Sequence, residues 1–205
     1  MVYPCVTKKE RRQRGPVWFA KLDVRHYFSS IDQEILLRIL SRRVTDPQLF
    51  ELCRRVITSF GVDGRGLPLG NLTSQWFANI YLHELDWFVK HELRVQNYMR
   101  YNDDIIVLVR SETAAREIAY SIQRFVFEKL QLMIPENKIT IDCVVHGLDV
   151  LGLNTNGNQV WLRRTTVNRA RTRLIKQWSN NEPTLLDAAC SYAALAQDMV
   201  SEFFI

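Results

Sequence analysis

No stretch of the 205-residue chain approaches the ~18 consecutive apolar residues of a membrane-spanning helix, so a transmembrane anchor is not expected. The N-terminus, Met1-Val2-Tyr3-Pro4-Cys5, turns basic without an apolar signal core, and no secretory signal is read from it. Cysteines are few and scattered: Cys5, Cys53, Cys143 and Cys190 form no Cys-x-x-Cys metal pattern. They read as reduced thiols in a cytoplasmic protein. Internal repeats and low-complexity tracts are missing too. Acidic residues are absent between Trp161 and Trp178, although Arg163, Arg164, Arg169, Arg171, Arg173 and Lys176 lie within that stretch.

What is present fits a globular domain. Hydrophobic residues make up 47% of the chain and aromatic ones 11%, enough for one core with a small appendage. The net charge of +5 is unevenly spread. Lys8, Lys9, Arg11, Arg12 and Arg14 crowd a leader, and the 163–176 run forms a second basic cluster. Clustered cations suggest a phosphate backbone as partner, with a solvated helix face as the other reading of either run.

The apolar pattern orders the elements. Val17–Asp23 reads as a strand and 33–43 as a helix, with Ser30 and Gln33 at capping-box spacing. A helix over 47–60 follows. Gly61 through Gly70 is a loop, and Asn71 or Thr73 could cap a helix from Gln75 to His91. Tyr98–Val109 reads as two strands around a turn, and Thr113–Leu132 as an amphipathic helix. Ile139–Val145 is a strand. Asn156-Gly157 is a type I′ hairpin signal between Asp149–Leu153 and Val160–Leu162. The helix Val167–Trp178 sets Val167, Ala170, Leu174 and Trp178 against Arg169, Arg173 and Lys176. This order implies an α+β fold, an antiparallel sheet with helices on one face.

The chemistry concentrates at Tyr101-Asn102-Asp103-Asp104. Adjacent carboxylates at a turn raise each other's pKa unless a cation compensates. Hard oxygen donors without Cys or His nearby favour Mg²⁺, with Mn²⁺ as a substitute. Alone, the pair reads as a solvated hairpin tip, and Asp23 alone as a helix-capping acid. Together, one carboxylate at a strand end and two at a hairpin could converge on adjacent strands and hold two metal ions for in-line phosphoryl transfer.

These residues carry a family resemblance. Lys21-Leu22-Asp23-Val24-Arg25-His26-Tyr27-Phe28-Ser29-Ser30-Ile31-Asp32 resembles the first catalytic motif of reverse transcriptases. Gly66-Leu67-Pro68-Leu69-Gly70-Asn71-Leu72-Thr73-Ser74-Gln75 is similar to their template- and nucleotide-positioning motif, and Tyr101-Asn102-Asp103-Asp104 to their Tyr-x-Asp-Asp box. The likeness covers about Trp18 to Leu162. The second motif, with Leu69 and Gln75 where group II intron and retron enzymes have Gln and Pro, is most similar to diversity-generating retroelement enzymes. Those copy RNA into cDNA and misincorporate opposite template adenines.

The resemblance implies an RNA-directed DNA polymerase with a palm at residues 17–162. A basic leader, 1–16, precedes it, and residues 163–205 begin a thumb near Ser191-Tyr192. It implies two Mg²⁺ ions held by Asp23 and Asp103, with the Val24 carbonyl as a further ligand and Asp104 closing the site. Lys138 would be the general acid. Phe28, Leu69, Gly70, Gln75, Tyr101 and Asn102 would meet the nucleotide; the alternative for Phe28 is a core aromatic. Arg163, Arg164, Arg169, Arg173, Lys176 and Gly152 would meet nucleic acid. The implied partners are an RNA template, a DNA primer, deoxynucleotides and a small basic accessory protein, with no membrane.

Only 22 residues precede Asp23, so a fingers domain of the family's size is not expected within this chain, nor a full thumb. A truncated reading frame, a fragment completed by another chain and a palm kept as an RNA-binding scaffold all stay open. So do group II intron-, retron- and antiviral-type enzymes.

Overall fold

The computed structural model describes residues 15–61, 63–68, 70–180 and 190. Most of the basic leader, Leu69, and Ser191-Tyr192 therefore lie outside the described residues. The chain falls into two compact units that divide between Asp142 and Cys143.

In the first unit the order is β1 (Trp18–Asp23), α1 (Tyr27–Ser30), α2 (Gln33–Ser41), α3 (Pro47–Thr58), α4 (Leu72–Trp87), β2 (Tyr98–Tyr101), β3 (Asp104–Val109), α5 (Glu112–Leu130) and β4 (Ile139–Cys143). The four strands form one sheet in the order β2-β3-β1-β4. β3 runs antiparallel to both β1 and β2. Strand side chains alternate between faces, so Ala20 and Leu22 of β1 join Ile105 and Val107 of β3 in the core. Against that face lie α5 and, beside it, α4, contributing Ala115, Ala119, Ile122 and Val126 from one and Phe77, Tyr81 and Leu85 from the other. Full burial of each large aliphatic side chain stabilises the fold by about 1.5–3 kcal/mol. The architecture is the expected α+β sheet with helices on one face.

Local details depart from the sequence reading. α2 is capped by Asp32, whose carboxylate accepts from the Ile35 amide at 3.0 Å, rather than by a Ser30–Gln33 box. Ser30 belongs to α1, and its hydroxyl donates to the Arg25 carbonyl. Gln33 is buried and donates to the Phe60 carbonyl and, at 3.0 Å, to that of Gly66. A buried side-chain amide is better satisfied by those carbonyls than by a solvent-side cap. α4 begins at Leu72, not Gln75, and runs on into a π-helical turn over Phe88–Glu92. Phe88 of that turn stacks on Phe125 of α5 with ring centroids 4.2 Å apart.

In the second unit β5 (Leu148–Val150), β6 (Leu153–Thr155) and β7 (Val160–Leu162) form an antiparallel meander, followed by α6 (Arg164–Ser179). The two-residue turn with positive φ at both positions is Leu151-Gly152, at 52° and 87°, five residues before the expected Asn156-Gly157. Asn156 instead opens a four-residue turn, its side-chain oxygen accepting from the Asn158 and Gln159 amides. Asn stabilises such turns by this local bond, whereas a type I′ turn needs left-handed backbone at both central positions. The sheltered side of α6 carries Thr166, Ala170, Leu174 and buried Gln177, while Val167 and Trp178 are exposed. That stripe lies about one residue round from the apolar one expected. Among the described residues no helix is long and apolar enough to cross a membrane.

Candidate active site

The β1–β3 register sets Asp23 opposite Asp104, and the β2–β3 register sets Tyr101 opposite Asp104. Asn102 and Asp103 form the two-residue loop between β2 and β3. Asn102 adopts φ 52°, a left-handed conformation that Asn tolerates better than most residues. The Val24 amide donates to the Asp103 carbonyl at 3.4 Å, tying the end of β1 to this turn. Three carboxylates thus gather at one end of adjacent strands.

Two lysines attend them. Lys138, in a 3₁₀ turn just before β4, places Nζ 2.8 Å from Asp23 Oδ2. Lys21 lies two residues before Asp23, hence on the same strand face, with Nζ 3.7 Å from Asp104 Oδ1. Among the described residues no lysine is paired with Asp103 in this way. Burial pushes its carboxyl above the usual carboxylate range, and the neighbouring Asp23 and Asp104 charges push the same way; a bond from its own backbone amide and the charge of Lys138 pull back without prevailing. The hydrogen bond to Asp23 raises the Lys138 ammonium above its usual value, so it stays charged at neutral pH.

The donor set suits a hard divalent cation, since carboxylate oxygens dominate and uncompensated negative charge remains at Asp103. Two ammonium groups stand where cations are wanted. With Asp23 and Asp104 turned to these lysines, no three acidic, histidine or cysteine side chains are grouped as a metal centre among the described residues. Loading a metal would exchange an ammonium for it.

Behind Asp23, His26 (φ 48°) leads into α1, where Tyr27 is buried and donates to the Ala78 carbonyl on α4. Burial drives the Tyr27 phenol well above its ordinary range. Phe28 is half-buried, packed on the core edge and edge-to-face with Tyr27 at 5.6 Å. Its carbonyl accepts from the Leu67 amide at 2.9 Å, and that of Ile31 from the Gly66 amide at 2.8 Å. The second sequence motif is thereby stitched to the first. Gly70 has φ 86° and open space where a Cβ would point, and Gln75 is exposed on the first turns of α4.

In the second unit Gly152 forms the β5–β6 turn. Arg163 is paired with Asp149. Arg164, Arg169, Arg173 and Lys176 are exposed along α6.

The sequence reading gave no role to Lys21, Asp86 or Arg100. Arg100 binds both oxygens of Asp86, Nε to Oδ1 at 2.8 Å and Nη2 to Oδ2 at 2.7 Å, and Tyr98 donates to the same carboxylate at 2.6 Å. Strand alternation carries the signal. Tyr98 and Arg100 share the helix-facing phase of β2, where a charged residue is out of place unless paired.

A family model described as "Reverse transcriptase (RNA-dependent DNA polymerase)" matches residues 3–155. The chain is 33% identical over 94 residues to the uncharacterized mitochondrial protein ymf11 of Marchantia polymorpha, covering 45% of this chain and 12% of that one. It is 30% identical over 87 residues to the group II intron-encoded protein LtrA of Lactococcus lactis subsp. cremoris, covering 39% and 14%. The matched segment thus spans only about an eighth of these curated relatives. Apo telomerase from Candida tropicalis superposes with a TM-score of 0.61 at 12% identity, over 75% of this chain and 33% of that one. At that identity the likeness concerns the fold.

Proposed function

The chain belongs to the reverse transcriptase (RNA-dependent DNA polymerase) family, and from that premise we propose that it carries out template-directed DNA synthesis on RNA at the Asp23–Asp103–Asp104 site. The observation that carries this reading is the strand register that sets Asp23 opposite Asp104, beside the Asp103 turn. Asp23 and Asp103 would hold Mg²⁺, or Mn²⁺ in its place, with the Val24 carbonyl and Asp104 completing the shell. Bound there, two such ions supply a lowered pKa for the primer hydroxyl and neutralise the triphosphate.

The chain's own groups do the rest. Lys138 would give a proton to the departing pyrophosphate, a role supported by its charge and its bond to Asp23. Tyr101, more than half exposed, offers its ring beside the site, with Asn102 shaping the turn. Gly70 and Gln75 would position nucleotide and template. Residues 17–162 act as palm, 1–16 as leader and 163–205 as the start of a thumb. A small basic accessory protein is part of the same proposal.

Phe28 is the proposed sugar gate: its half-buried ring would fill the volume a ribose 2′-hydroxyl needs. Phe28→Val is expected to raise ribonucleotide incorporation relative to deoxyribonucleotide by about tenfold, equivalent to ~1.4 kcal/mol of lost exclusion. Competition of the two nucleotide classes in one primer extension reads this out, and an unchanged ratio returns Phe28 to a purely packing role.

The exposed cations of α6 are the proposed contact for the nucleic-acid backbone, and Gly152 would lie near the primer. With about four phosphate contacts to a single strand, log K should fall against log[salt] with a slope near −3. Replacing Arg169 and Arg173 by Gln should flatten the slope by roughly 1.4. Arg163 should add little, since Asp149 already neutralises it.

The direct test is primer extension on an adenine-containing RNA template with Mg²⁺, followed by sequencing of the cDNA. Extension supports the polymerase reading, and its absence under any divalent ion argues for an RNA-binding scaffold. The error spectrum addresses the finer assignment. The group II intron-encoded relative supports a group II intron-type enzyme, while Leu69 and the Gly66–Gln75 string support the error-prone synthesis of a diversity-generating retroelement. Errors concentrated at adenines, and reduced by Leu69→Gln, would favour the second reading; uniformly low error would exclude it.

A further inference from the structure

We propose that Arg100 is the positioning residue of the catalytic turn, a brace that fixes the Asn102 carbonyl and through it the direction of the Asp103 carboxylate. The significance of that direction rests on the polymerase reading above; the brace itself does not.

The geometry is a fork with every tine used. Two nitrogens of the Arg100 guanidinium hold the two oxygens of Asp86 on α4. The third, Nη1, donates to the Asn102 carbonyl at 2.9 Å and to Asn79 Oδ1, two turns before Asp86 on the same face of α4, at 3.2 Å. The side chain is only 10% exposed. Tyr98, two residues earlier on the same strand, donates to Asp86 as well. A helix that begins at the end of the template-positioning motif therefore reaches, through one side chain, the backbone of the residue before Asp103.

The turn needs such a hold. Among the described residues β2 is an edge strand, with β3 its sole neighbour in the sheet. Asn102 has left-handed φ, and the Asp23 and Asp104 carboxylates repel that of Asp103 in the turn. An Arg suits the task because its planar fork meets a carboxylate with two nitrogens and still presents a third. Lysine could keep the ion pair with Asp86 but could not span to Asn102 at the same time.

Arg100→Lys in the full chain, without metal, tests the brace by ¹⁵N relaxation. The Asn102 and Asp103 amides should fall from rigid order parameters near ~0.85 to below ~0.6, while Leu22, Ile105 and Val107 keep theirs. Unchanged order at the turn, or loosening spread through β1 and β3, would overturn the proposal. If Arg100→Lys does not fold, Asp86→Asn serves in its place. It keeps an acceptor for Arg100 but removes the charge, and should loosen the same two residues to a smaller degree. Mn²⁺ binding followed by electron paramagnetic resonance then separates the two claims. A tenfold weaker Mn²⁺ affinity in Arg100→Lys connects the brace to the metal site. An unmutated chain whose turn is rigid but which binds no Mn²⁺ would sink the polymerase reading and leave the brace standing.

Discussion

Asp103→Asn should abolish primer extension, at least a thousandfold in rate, and at the same time should slightly stabilise the metal-free protein. The loss of activity follows from removing one of the carboxylates proposed to hold metal: ~4 kcal/mol of lost transition-state stabilisation is already about a thousandfold. The gain in stability follows from the electrostatics. Burial and the charges of Asp23 and Asp104 raise the Asp103 carboxyl in the native state. A carboxyl raised on folding stabilises the native state below its unfolded pKa and loses that contribution as pH rises through the native value. At neutral pH, ionised Asp103 is therefore a net burden without metal. The side chain is partly solvated, so the gain should be no more than about 1 kcal/mol after screening. Thermal melts with and without Mg²⁺ check this: Mg²⁺ should raise the unmutated protein's melting temperature and leave the variant's unchanged. A variant that extends primers, or melts lower without metal, would count against the assignment.

Lys138→Ala should act in two opposite directions. Loss of a general acid at the leaving group is worth ~10²–10⁴ in rate, so turnover should fall by about a hundredfold or more. Yet the same ammonium occupies Asp23 Oδ2 at 2.8 Å. Its removal frees that oxygen, and Mg²⁺ should half-saturate the protein at a lower concentration than before. Isothermal titration with Mg²⁺ and single-turnover extension at saturating Mg²⁺ measure the two effects separately. Weaker Mg²⁺ binding would mean that Lys138 supports the site rather than competing for it. Full single-turnover rates would remove it from the chemistry.

The carboxylates were legible because each sits where a strand pattern stops. Val17–Asp23 and Tyr98–Val109 announce strands, and two acids in a turn between strands stand out against the apolar run that follows. Pairing of Asp23 with Asp104 follows once both strands share a sheet. Local hydrogen-bonding choices were harder to read. Ser30, Asp32 and Gln33 all suit a helix start, and Asp32 caps because Gln33 is drawn inward to the Phe60 and Gly66 carbonyls. Those carbonyls belong to a distant loop, so spacing could not reveal them. The β5–β6 turn was hidden because it places Leu151, rather than Asn or Gly, in left-handed backbone. Propensity points to Asn156-Gly157, where the register does place a hairpin, closed by four residues rather than two. The α6 face was misjudged by about one residue because Thr166 and Gln177 are polar and still lie on the sheltered side.

The antiparallel register of β1 with β3 also governs when the site can come into being. Four helices and β2 lie between the two strands in the chain, so Asp23 meets Asp104 only after a long loop has closed. Contacts of such sequence separation form late and slowly compared with local helices. During synthesis the helices α1 to α4 can emerge and collapse while Asp23 still lacks its partners. No nascent chain shorter than β3 can assemble the carboxylate cluster, and metal-dependent chemistry cannot begin on a half-made polypeptide. The active centre is therefore expected to appear with the closure of β1 on β3, after the local helices.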